Sequence, residues 1–259
     1  MLLEGKTIVV SGVGTGLGRE VATVALRDGA NVVLGSRREE NLVTIASELD
    51  PSGERVAWMR TDITDPTQCD ALAGFAVDRF GGVDGLAQVA AFDPPFGGVM
   101  DQAIVDWNAA FTAIVLGSVQ MVKAVAAHLT TRGGGSVVLI GAQAMYRPQV
   151  PQIAYAAAKG ALNSSMYYMA TELGPSRIRV NTVVPTWMWG PPVEGYVEWQ
   201  AQELGVPVAE IVAGITVNMP LGEIPADEDV AEAVAFLLSP RARMITGQSL
   251  FVNAGELMP

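Results

Sequence analysis

Seven short runs of apolar, often β-branched residues alternate with helical patterns along this chain, and that alternation constrains the fold more than any other feature. The runs are Thr7–Val10, Asn31–Leu34, Arg55–Met59, Gly85–Val89, Ser136–Ile140, Ile178–Val184 and Ser249–Val252. Helical stretches lie between them at about 17–28, 38–49, 66–80, 101–130, 152–173 and 227–238. Strand, helix, strand, helix is the pattern of a parallel sheet covered on both faces, and nearly continuous Val, Leu and Ile fits strands buried on both sides. The expected fold class is α/β: one domain over residues 1–259, a doubly wound parallel sheet of about seven strands. Gly133-Gly134-Gly135 reads as a turn, not a domain boundary. Residues 186–225 break the rhythm with Trp187, Trp189, Tyr196, Trp199 and the pair Pro191-Pro192. A long insertion beyond a strand's carboxyl end is where α/β proteins bind ligands, so it is expected on the substrate side. A subunit interface or a local core accounts for the same aromatics.

The composition excludes several classes. Half the residues of this 259-residue chain are hydrophobic, enough for a large core. A formal charge of −11 argues against a nucleic-acid partner. One cysteine, Cys69, rules out an internal disulfide and a Cys cluster for zinc, and one histidine, His128, removes the main residue of Ser-His-Asp chemistry. No metal is expected, and the reading is of a cytoplasmic protein. His128, near the end of a long helix, suits that helix's dipole and is given no catalytic role. Glu4 and Lys6 break any signal-peptide pattern. The apolar stretch Ala109–Val122 falls short of the roughly 20 residues a bilayer needs and reads as a buried helix, so no membrane is expected.

The first strand runs straight into Ser11-Gly12-Val13-Gly14-Thr15-Gly16-Leu17-Gly18, and a helix opens at once. Glycines there let the backbone turn tightly and approach a diphosphate, while the helix N-terminus offers free N–H groups. This placement identifies a dinucleotide site of Rossmann type. The second strand ends at Ser36-Arg37-Arg38, where an NAD site carries Asp or Glu for the ribose 2′-OH. An arginine fork suits a 2′-phosphate, so NADP(H) is expected ahead of NAD(H). Two cations at a helix start are otherwise solvated charges in an unfavourable place. Asp62, just past the third strand, is placed to meet the adenine amino group, with Ile63 beside it. Ala90 and Ala91 after the fourth strand, and Pro185 and Met188 after the sixth, complete the expected cofactor path.

Tyr155 and Lys159, four residues apart, share one face of a helix. A nearby ammonium stabilises a tyrosinate, so the phenol can give a proton to a carbonyl being reduced or take one from an alcohol being oxidised. At this point the chain resembles the short-chain dehydrogenase/reductase family over nearly its whole length. The glycine string is similar to that family's T-G-x-x-x-G-x-G with Ser11 for Thr, and Tyr155-Ala156-Ala157-Ala158-Lys159 to its Y-x-x-x-K. Arg179-Val180-Asn181, Val184-Pro185 and Ile245-Thr246-Gly247-Gln248 resemble its C-terminal half. The resemblance implies that Lys159 also holds the nicotinamide ribose, and that the chain forms a homodimer or homotetramer.

The chain departs from the family pattern at four places. The serine expected thirteen positions before the tyrosine is Ala142, and the helix asparagine aligns with Ile114. N-N-A-G reads Gln88-Val89-Ala90-Ala91; P-G reads Pro185-Thr186, and the threonine that would grip the carboxamide aligns with Gly190. Losing an oxyanion donor costs about 3–4 kcal/mol in other enzymes. Three explanations stand: Gln143 supplies the donor, the substrate needs less stabilisation (an activated carbonyl or an imine), or the protein binds ligands without redox turnover. The expected activity is hydride transfer between NADP(H) and a carbonyl/alcohol or imine/amine pair of a fairly apolar small molecule. Tyr155, Lys159 and Gln143 are the catalytic candidates. Ala142, Met145, Tyr146 and Trp187 are the substrate-side candidates, with Phe92, Phe96 and Met188 as further apolar lining; such apolar residues equally build a core.

Overall fold

The computed structural model describes residues 1–92 and 96–258. Seven strands form one fully parallel sheet: β1 (Thr7–Ser11), β2 (Asn31–Ser36), β3 (Val56–Arg60), β4 (Gly85–Gln88), β5 (Gly135–Ile140), β6 (Ile178–Pro185) and β7 (Ser249–Val252). Their order is β3-β2-β1-β4-β5-β6-β7. Side chains alternate between faces along each strand, so neighbouring residues feed different cores. Val10, Leu34, Ala87 and Val138 pack with α1 (Leu17–Arg27), α2 (Glu39–Leu49) and α9 (Asp227–Leu238). Val9, Val33, Leu86 and Val137 pack on the other face with α3 (Pro66–Phe80), α5 (Gly117–Thr131) and α6 (Ile153–Leu173). The fold is a single-domain, doubly wound α/β sheet, as the alternation required.

Chain direction across the sheet reverses between β1 and β4, which pair side by side with Ser11 opposite Gln88. The loops leaving these strands part company there and open a crevice at the carboxyl ends. Gly12 lies at the parting point with φ +98°, and a Cβ on it would sit 2.2 Å from the Ala90 backbone nitrogen. Only glycine permits that approach.

Two elements differ from expectation. Residues 186–225 hold two helices, α7 (Pro191–Leu204) and α8 (Val208–Thr216). The two prolines occupy the first positions of α7, where no N–H is needed, and Gly205 ends it in the left-handed region with φ +67°. The second difference is length. α4 (Ile104–Ala110) continues through a π turn, Phe111–Leu116, into α5, making a helical run of 28 residues with mean hydropathy 1.6. That run is long and apolar enough to cross a bilayer, unlike the shorter stretch inferred above. Half of its apolar window is buried within this fold, where α5 lies against α3 and the π turn against α6.

Candidate functional site

Two hollows open at the carboxyl ends of the strands. The first, about 170 Å³, lies over β1, β2 and β4 and is lined by Gly12, Gly14, Ser36, Arg37, Arg38, Asp62, Ile63, Ala90 and Ala91, all among the expected positions. Gly14 has nothing within 4 Å of the place a Cβ would take, whereas a Cβ on Gly18 would fall 2.4 Å from the Gly12 carbonyl oxygen. The glycines therefore divide their work: Gly14 keeps the mouth open and Gly18 lets α1 close on the strand. Thr15 is exposed, and Leu17 is buried in the core, so Leu17 and Gly18 offer this hollow backbone only. No side chain caps α1 at Gly16, which leaves its first N–H groups for an anion. The Ser11 hydroxyl is buried, and no partner for it is found among the described residues.

Arg37 and Arg38 are exposed at the start of α2. Asp62 accepts from the Thr64 backbone N–H at 3.0 Å and from its hydroxyl at 2.8 Å. The Thr64 backbone N–H is the largest cause holding this carboxyl below its ordinary range; the hydroxyl, Arg37 and Arg60 act in the same direction. Asp62 is thus a fixed anion facing the arginines.

The second hollow, about 270 Å³, contains Tyr155 with Ala142, Gln143, Gln149, Pro185, Thr186, Trp187 and Met188 around it. Tyr155 and Lys159 come from the first two turns of α6. The Lys159 ammonium is buried, donates to the Ile140 carbonyl at the end of β5 at 2.6 Å, and lies 5.5 Å from the centre of the Tyr155 ring. The helix and the end of β5 together fix a positive charge beside the phenol ring, and that charge favours the ionised phenol by Coulomb attraction. Trp187 stacks on Tyr196 with ring centres 5.4 Å apart, so one expected lining residue is anchored by α7.

One catalytic and two substrate-side expectations need correction. Gln143 lines this hollow, but its amide is held from the other side: Nε2 donates to Glu256 at 2.8 Å, and Oε1 accepts from Asn253 at 2.8 Å. Both ends of the amide are engaged, and the residue is only 1% exposed. Tyr146 turns outward, its ring 5.2 Å from Phe251 and its hydroxyl accepting from Asn163 at 3.3 Å. Met145 sits on the 3₁₀ turn Gln143–Met145 and leans toward Gly141 and Gly160 rather than into the hollow. Phe92 packs on the α3/α5 core, and Phe96 is 63% exposed.

The sequence reading missed the polar wall. Glu256, 8% exposed, accepts from Gln143, Gln149 and Thr186, all of which line the hollow. These partners lie 70 to 113 residues from Glu256 along the chain, so no local pattern could have joined them. It also missed Asp227, whose carboxyl stands between Gly16 and Gly190.

Comparison with known proteins agrees with this geometry. Residues 12–256 match the profile of the enoyl-(acyl carrier protein) reductase family. The chain is 29% identical to 7alpha-hydroxysteroid dehydrogenase of Escherichia coli (strain K12) over 98% of its own length and 94% of that protein. It is 31% identical to dehydrogenase/reductase SDR family member 4 of Sus scrofa, over 98% of its length and 88% of the relative. A short-chain type dehydrogenase/reductase from Mycobacterium ulcerans superposes with TM-score 0.90 at 27% identity, covering 99% of this chain and 91% of that one. A variant of actinorhodin polyketide ketoreductase, solved with NADPH, gives 0.88 at 28% identity over 97% of both chains. With its parallel sheet, glycine crevice and Tyr155–Lys159 pair, the chain belongs to the short-chain dehydrogenase/reductase family of oxidoreductases.

Proposed function

We propose that this protein is an NADP(H)-dependent oxidoreductase acting on a carbonyl/alcohol or imine/amine group of a fairly apolar small molecule, with Tyr155 as general acid/base. One observation carries the reading: Tyr155 faces a hollow beside the glycine crevice, with a buried lysine ammonium fixed 5.5 Å from its ring centre. The residues present fit a dinucleotide. Gly12 and Gly14 leave the crevice open, α1 is uncapped, and the Ser11 hydroxyl and Gln88 amide are buried polar groups without partners among the described residues. A bound nicotinamide supplies or accepts the hydride. The chain's own part is to place that group, exclude water with Trp187 and Met188, and move a proton at the Tyr155 hydroxyl. Lys159 steadies the ionised phenol and is the group that would hold the ribose.

The absence of a carboxylate at Ser36 and the presence of Arg37 and Arg38 support NADP(H). Arg37→Ala is expected to weaken NADPH binding by about tenfold or more, the scale of one charge-assisted hydrogen bond, while NADH changes little. Titration by intrinsic tryptophan fluorescence measures both, and equal affinities unaffected by the substitution reject the preference.

We read Ala142 as standing where the family has its serine, and Ile114, fully buried on the π turn, where it has its asparagine. With Gln143 held by Glu256 and Asn253, its amide is committed elsewhere and does not stand in for that serine, which favours a substrate with low demand for oxyanion stabilisation. The same feature supports a second reading: a ligand-binding member of the fold, or one doing other acid/base chemistry, without redox turnover. A broad panel of ketones, alcohols and cyclic imines separates the two, since tight apolar binding with no turnover selects the second.

Residues 186–225 are read as a cover on the substrate side. Amide hydrogen exchange across Trp187–Leu204 should slow when an apolar ligand binds; unchanged protection favours the interface reading instead. A cytoplasmic homodimer or homotetramer without nucleic-acid or membrane partners remains part of the proposal.

A further inference from the structure

Asp227 opens α9, and its side chain reaches Gly16 and Gly190, the residues that precede α1 and α7. The backbones of Trp189 and Pro225–Asp227 are tied together: Trp189 N–H donates to the Pro225 carbonyl at 2.7 Å, and Asp227 N–H donates to the Trp189 carbonyl at 3.3 Å. This tie brings Gly190, the residue preceding α7, against Asp227. A Cβ on Gly190 would lie 2.3 Å from Asp227 Oδ2, and a Cβ on Gly16 would lie 3.2 Å from the same oxygen. One carboxylate oxygen therefore fills the space between the residues that open α1 and α7. Neither helix has a side-chain cap. Three helix N-termini meet at this point, and a free N-terminus attracts an anion.

The chain has placed its own anion beside Gly16, the residue from which α1 starts and where an anion would meet its free N–H groups. Asp227 is 7% exposed, and no hydrogen bond or ion pair to its carboxyl is found among the described residues. The charges facing it are unfavourable: Glu20 on α1 and Glu194 on α7. The arginines of α1 pair elsewhere, Arg19 with Glu48, and Arg27 with Asp28, Glu228 and Glu232. On α9 itself, Asp229 accepts from the Ala226 N–H. Burial, then Glu20 and Glu194, pushes the Asp227 carboxyl up to about 6.

We infer that Asp227 is a positioning residue for the dinucleotide: ionised, it opposes the diphosphate, and protonated, it admits and donates to it, so cofactor affinity falls as the carboxyl ionises. The inference rests on the cofactor reading above and deepens it. Gly190 belongs to the same device, because a larger side chain there would displace the carboxyl.

The test is the dissociation constant of NADH between pH 5 and pH 8, by tryptophan fluorescence, for the parent, Asp227→Asn and Asp227→Ser. NADH is the probe because a 2′-phosphate titrates near pH 6 and would add its own slope. The parent is expected to weaken by about tenfold across the range, as two like charges approach within a few ångströms in a partly buried site. Both variants should give flat profiles and bind tighter than the parent at pH 8. ADP-ribose, which has the diphosphate but no nicotinamide, should reproduce the slope. Superimposable profiles for parent and variants, or weaker binding by both variants at pH 8, overturn the inference while leaving the cofactor reading intact. No binding of NADH or NADPH by any form overturns both.

Discussion

Tyr155→Phe is expected to lower kcat by a factor of roughly 10²–10⁴, the usual contribution of a positioned general acid or base. Cofactor affinity should stay near the parent value. The substitution keeps the ring that lies 5.5 Å from the Lys159 ammonium and removes only the hydroxyl. Lys159 keeps its bond to the Ile140 carbonyl, so the end of β5 and the first turns of α6 stay where they are. Turnover is read on whichever ketone, alcohol or imine of the panel is most active, and NADPH binding is read separately by fluorescence. A Phe variant as active as the parent would refute the proton-transfer role. A variant that loses both activity and cofactor binding would place Tyr155 in the cofactor's hold instead.

The second large effect is on stability. Asp227 rises from 3.8 to about 6 in the fold, chiefly through burial. A folded value raised above the unfolded one means that this group's stabilising contribution is complete below about pH 4 and is lost as pH rises through about 6. At pH 7.5 the ionised carboxyl works against the fold. A displacement of about two units corresponds to about 3 kcal/mol. Partial solvent access, relaxation and the three helix N-termini around the carboxyl, which favour its anion, reduce it, so Asp227→Asn is expected to stabilise the apo protein by about 1–2 kcal/mol at pH 7.5. For a chain of this size that is a rise of roughly 2–8 °C in Tm. The gain should shrink toward zero near pH 4. Thermal melts at both pH values decide the matter, and an equal gain at both would show that titration is not its source.

Most of the scaffold could be read from residue order. All seven expected runs became strands, with no end shifted by more than two residues, because buried parallel strands leave an unbroken apolar signature. The glycine crevice was legible for a local reason: Gly12, Gly14 and Gly18 act within one strand–turn–helix unit. Tyr155 and Lys159 were legible because four residues make one helical step. What escaped was non-local or misjudged by type. Pro191-Pro192 signalled a break, although prolines at the first positions of a helix start it, and Gly205 marks its end. Gln143 was read as a donor because its neighbour Ala142 has none; its real partners, Asn253 and Glu256, lie more than a hundred residues away. Asp227 stands first in an acidic run, Asp227-Glu228-Asp229, and nothing local distinguishes it. Its significance comes from Gly16 and Gly190, which only the tertiary fold brings to it.

The Glu256 contacts bear on how the site is lost. The glycine crevice is built from strands β1 to β4 in the first ninety residues, each paired along its length with a neighbouring strand. The wall facing Tyr155 is held by bonds that span up to 113 residues and converge on one carboxylate near the last strand. Closing such long loops carries a larger entropy cost, and regions held by few distant contacts open at lower free energy than the whole molecule. Under mild denaturant the edge strand β7 is therefore expected to fray before the crevice opens, and with it Gln143, Gln149 and Thr186 would lose their common anchor. On the proposed function, residual dinucleotide binding would then be a poor measure of intact enzyme.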